Sequence, residues 1–190
     1  MKRGLTLLAA AVILLGMSFQ AQATTISISP STLGCGASLT SPCLALTGDI
    51  TSQAAINAAI EAVFPGLTGT AIYKQDEGDS EEGSAAPWYT TSFNGDLSGG
   101  TIAWVPGSNY IGGTPIYLLV KDGNHTPAWY LYNISSWDGQ SDITLTNFWL
   151  GAGAISQVTV YGGGVPDGGS AAMLLGAALI GLAGFRRMLK

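Results

Sequence analysis

Arginine is missing from the whole stretch between Arg3 and Arg186. Within residues 24–164 the only cationic side chains other than the single histidine are Lys74 and Lys121, whereas of the 12 Asp+Glu only Asp167 falls outside that stretch. A nucleic-acid binder needs a basic footprint to displace counterions from phosphate. That class is therefore excluded, and with it a guanidinium clamp for phosphate. Histidine occurs once, at His125, so no cluster of imidazoles can hold a metal ion. There is no Gly-x-Ser-x-Gly elbow to present a serine nucleophile. No internal repeat is found, which argues against propellers and solenoids.

What is present begins at the ends. Lys2-Arg3, the apolar run from Leu5 to Met17 and the small-x-small site Ala21-Gln22-Ala23 make an export signal, residues 1–23, with signal peptidase as the expected partner. The mature chain is expected to start at Thr24. At the other end, Val165-Pro166-Asp167-Gly168-Gly169 precedes an apolar run over 170–185 and a basic end at Arg186, Arg187 and Lys190. A helix from Gly168 to Phe185 spans about 27 Å at about 1.5 Å per residue. That is slightly short of a hydrocarbon core of about 30 Å. Basic residues after such a helix stay on the cytoplasmic side. The run fits a transmembrane helix that halts the chain while the motif waits outside the bilayer. A helix left permanently in place is the other reading.

The tail resembles that of bacterial PEP-CTERM proteins, which end in a Pro-containing motif, a transmembrane helix and an Arg-rich terminus. Its motif is similar to the VPDSG-type variant, with Gly168 in the place of the serine. The resemblance implies recognition of Val165, Pro166, Asp167, Gly168 and Gly169 by an exosortase, removal of the helix, and delivery to the cell surface or extracellular matrix alongside exopolysaccharide. Residues 115–162 also resemble an ectodomain found among such proteins, in which the last strand runs into the tail. That likeness implies no catalysis.

With both ends set aside, the positive mean hydropathy of the chain no longer describes residues 24–164, which read as one acidic extracellular domain. In an oxidising compartment, Cys35 and Cys43 are expected to close a short disulfide loop; a shared metal site is the alternative, with His125 far off in sequence. One helix is signalled over Gln53–Phe64. Thr51 or Ser52 can cap it, Ile56, Ala59, Ile60 and Val63 form its apolar face, and Pro65-Gly66 stop it. Elsewhere the pattern is of short strands: Thr25–Ser29, Thr70–Gln75, Trp88–Phe93, Thr101–Val105, Pro115–Lys121, Ala128–Ile134, Asp142–Leu150 and Ile155–Tyr161. Ile143 and Leu145 alternate with threonines, and Val158 and Val160 with Gln157 and Thr159, as in sheets with one wet face. Lys121 to Asn124 reads as a hairpin turn. The expected fold is mainly β, an antiparallel, jelly-roll-like sandwich with one short helix. Gly162-Gly163-Gly164 is expected to be a flexible link to the sorting motif.

Three groups of side chains are candidates for a site. The acidic run Asp76 to Glu82 offers hard oxygen ligands, with Asp76, Asp79 and Glu81 as a calcium candidate; the spacing is not that of an EF-hand loop, and a solvated loop is the preferred reading. Trp129, Tyr130 and Trp137, within a wider set including Trp88, Trp104, Tyr132 and Trp149, could stack on sugar rings or fill the core. Adjacent on a strand, Trp129 and Tyr130 must face opposite ways. His125 with Asp122 and a distant serine is the thinnest case for a hydrolase, because His125 follows a turn. No catalytic residue is assigned and no cofactor other than calcium is considered. The expectation is a non-enzymatic exported protein, with a carbohydrate-binding module as the alternative and a secreted hydrolase after it.

Overall fold

A computed structural model of the chain describes residues 25–31, 33–35, 41–46, 52–122, 125–151 and 154–164. The export signal, the sorting motif, the expected transmembrane helix and the basic end all lie outside them. Nine strands form two sheets. The first contains β1 (Thr25–Ile28), β8 (Asp142–Leu145), β5 (Gly100–Trp104) and β4 (Tyr89–Phe93), in that order. The second contains β2 (Pro42–Leu46), β7 (Trp129–Asn133), β6 (Gly112–Asp122), β9 (Ile155–Gly164) and β3 (Ala71–Asp76). The pairings are antiparallel except that β1 lies parallel to β8. That parallel edge and the 4 + 5 strand count depart from an antiparallel jelly roll.

The sheets stack face to face. Ile28, Ile102, Ile143 and Leu145 of one meet Tyr73, Leu118, Val120, Tyr132, Val158 and Val160 of the other in the main core. Period-two alternation supplies this face from every strand but β2. The helix α1 (Gln53–Val63) starts where expected, with Ser52 Oγ accepting from the Ala55 N–H at 3.3 Å. Its Ile56 and Ile60 pack on Tyr117, Leu119, Trp129, Leu131 and Tyr161, the outer face of the five-stranded sheet. This second core corrects one expectation. Gln157 and Thr159 are only 3% and 2% exposed, because α1 covers the face they were expected to present to water. Sheet strands covered on both sides read as continuous apolar runs, and Ile116 to Val120 is such a run.

The strands depart from the sequence pattern in several places; β6, for one, starts at Gly112 rather than Pro115. Strand β8 stops at Leu145 rather than continuing to Leu150, because Asn147 and Trp149 adopt left-handed backbone (φ 60° and 45°), which breaks the extended course of a non-glycine strand. The turn there sends Phe148 into the core, its N–H donating to the Ser98 carbonyl at 2.8 Å. Strand β2 was not expected; it is an edge strand that opens on Pro42, where a missing N–H is tolerated. The hairpin after Lys121 is formed by β6 and β7, paired through Lys121 and Trp129, but six residues separate these strands.

Candidate functional site

Strand β9 carries the chain toward the sorting motif, and its last residues are its least ordinary. Gly162, Gly163 and Gly164 are not a free link: Gly162 pairs with Ile116 and Gly164 with Gly112 of β6. Gly162 and Gly163 take left-handed backbone, φ 76° and 69°. A side chain at Gly162 would overlap the Pro115 carbonyl oxygen, and one at Gly163 would stand 2.9 Å from that of Gly112. The Gly162 N–H donates to Thr70 Oγ1 at 3.0 Å. Only glycine permits this backbone and this approach, so the chain leaves the domain in a direction set by packing.

Beside that exit lies a groove of about 440 Å³ lined by Val63 to Leu67, Thr70, Thr114, Pro115, Tyr117, Gly162 and Gly163. The C-terminal end of α1 builds one wall. Pro65-Gly66 turn the chain, with Gly66 at φ 83°, and Glu61 ties the turn down by accepting from the Gly66 N–H and from Thr68 Oγ1. These bonds hold the Glu61 carboxyl below its ordinary pKa. The rings of Phe64 and Tyr117 meet at 4.9 Å. Val63 remains 53% exposed at the rim.

Farther along β9 the same face is polar. Gln157 Nε2 donates to Gln53 Oε1 at 2.9 Å and to Thr159 Oγ1 at 2.8 Å, and Gln53 Nε2 donates to Asn57 Oδ1 at 2.7 Å. This network locks α1 to the sheet. Lys74 and Lys121 flank it on β3 and β6. Lys74 is paired with Asp76 and Glu82, and the bond it donates to Asp76 is the main cause that raises its pKa. Burial lowers that of Lys121.

The acidic run is a folded turn rather than a loose loop. Lys74 and Glu82 exchange backbone hydrogen bonds of 2.9 and 2.8 Å, and the Asp79 N–H donates to the Asp76 carbonyl. Its carboxylates turn to separate partners: Asp76 and Glu82 to Lys74, while Glu81 accepts from the Thr91 N–H at 3.4 Å. Among the described residues no three His, Cys, Asp or Glu side chains, Asp76, Asp79 and Glu81 included, are grouped as a metal ion requires. Cys35 and Cys43 form the expected disulfide.

The aromatic candidates separate. Trp129 is buried under α1 and Trp137 within the main core, its Nε1 donating to the Ser141 carbonyl at 2.7 Å, so neither can stack on a sugar. Tyr130 faces the opposite way from Trp129, as neighbours on a strand must, and is half-buried beside the half-buried Trp149 at a ring separation of 5.5 Å. Trp149 is held by its Nε1 bond to the Pro127 carbonyl, 2.7 Å. His125 Nδ1 does meet Asp122 Oδ2 at 2.9 Å, but the same oxygen accepts from the Ala154 N–H at 3.1 Å. The pair joins the β6–β7 connection to the start of β9.

Residues 164–189 match the family model described as the VPDSG-CTERM motif. The chain thus carries a sorting tail of PEP-CTERM type, which implies a secreted or surface-targeted protein. The match begins at the residue where β9 ends. Neither a curated protein nor a solved structure matches the chain. Among the described residues no helix is long and apolar enough to cross a membrane.

Proposed function

We propose that the protein is an exported, non-enzymatic surface or matrix component, cleaved near Val165–Gly169 by an exosortase-type enzyme and associated with exopolysaccharide. One observation carries the reading: the sorting motif follows directly on the final strand of a β-sandwich. The domain then acts as cargo and the tail as its address, with the helix over 170–185 anchoring it until processing. Intact-mass measurement of the released protein should show a C-terminus within Pro166–Gly169. Recovery of the mature protein still ending at Lys190 would refute processing.

A carbohydrate-binding role is the second reading, and the half-buried Tyr130–Trp149 pair favours it, since half-covered rings offer a face to a sugar. Titration with the producer's own polysaccharide should quench tryptophan fluorescence, and Trp149→Ala should abolish the change. An unaltered signal in the unsubstituted protein would remove this reading.

A further inference from the structure

The groove at the end of α1 is apolar, open and unfilled by any described residue, and it lies at the point where the chain passes into the sorting tail. We propose that it holds Val165–Pro166 of the chain's own sorting motif, so that the domain regulates access of the processing enzyme to its site. The proposal rests on the reading of that motif as a processing signal.

Three observations point to this occupant. Gly162 and Gly163 are themselves groove wall, so Val165 and Pro166 begin within two or three residues of it, a reach of about 7–10 Å. Gly162 pairs with Ile116, Gly164 pairs with Gly112 and the Gly162 N–H is bonded to Thr70, so the strand is held beside the groove up to the residue before the motif. The lining is the kind that takes a proline-containing extended segment: the Phe64 and Tyr117 rings with Pro65, Pro115 and Leu67 around them. Pro166 has no N–H to leave unpaired and a preset φ, so little entropy is lost on docking. A dipeptide binds weakly by itself, but a tether this short supplies an effective concentration in the millimolar range. Docked, the motif lies against the domain, and the enzyme must compete with the groove for it.

Hydrogen exchange on the full chain in detergent micelles tests this. The Val165 and Asp167 amides should exchange at least tenfold more slowly than in a free peptide of the same sequence. Val63→Asp, at an exposed rim position, should return both to the free rate while the β6 and β9 amides stay protected. Val165→Asp should do the same for Asp167. Free-peptide rates in the unsubstituted chain, or protection unchanged by Val63→Asp, would overturn the proposal, as would protection that grows with protein concentration, which would place another copy's tail in the groove. The exchange readout does not depend on cleavage, so protection without processing would sink only the sorting reading.

Discussion

Four tyrosines carry their hydroxyls into the two cores, and their ionisation couples to folding. Tyr73 donates to or accepts from Thr91 at 2.6 Å, yet burial pushes its pKa up to about 12. Tyr89, which donates to the Gly139 carbonyl and accepts from the Ile111 N–H, is raised by burial too, as are Tyr132 and Tyr161. A group whose pKa is raised in the folded state contributes stability that is complete below its unfolded value and is lost as pH rises through the folded value. Lys74 acts in the same direction; Lys121, lowered by burial, acts against it. Urea midpoints should therefore hold steady up to the ordinary tyrosine value of 10.0 and fall from there toward about 12. Tyrosinate absorbance should appear with unfolding. Full ionisation of the tyrosines near 10 with the circular dichroism intact would contradict this. At this scale the sequence was read correctly where local geometry decides, as in the opposed faces of Trp129 and Tyr130. It did not separate half-buried from buried tryptophans, because what lies over a ring comes from distant chain.

At the scale of elements, α1 was legible almost to the residue, because capping, apolar spacing and the Pro-Gly stop are all local signals. Strand β8 was overrun since Thr146 to Leu150 keeps strand-forming composition, while the left-handed turns at Asn147 and Trp149 are imposed by the docking of Phe148. The end of β9 was misjudged in the other direction. Three successive glycines suggest freedom, but two of them are required by the close approach of β6. Gly162→Ala should thus cost about 1–3 kcal/mol from its left-handed φ alone, with the overlap on Pro115 adding to it. Gly164→Ala, with nothing within 4 Å of the added methyl, should stay within about 0.5 kcal/mol of the unsubstituted chain. Chemical denaturation of the two variants decides the matter: equal, small losses would mean that the glycine run is a linker after all.

For the whole molecule, the ends and the middle play separate parts. The tail implies a secreted or surface-targeted protein, and the last strand of the sandwich ends where the matched tail begins. The intact mass of the released protein and the exchange rates at Val165 and Asp167 address these two parts independently. By itself, the sequence determined the sorting tail, the mainly β class and the Cys35–Cys43 bridge. Each of these rests on composition, on order along the chain or on short sequence separation. Only the tertiary structure decided that β1 runs parallel to β8, that α1 buries Gln157 and Thr159, that Asp76 and Glu82 pair with Lys74 while Glu81 turns to Thr91, and that a groove opens beside the exit to the tail. Those outcomes depend on which elements meet across long stretches of chain, where packing and hydrogen-bond satisfaction outweigh local preference.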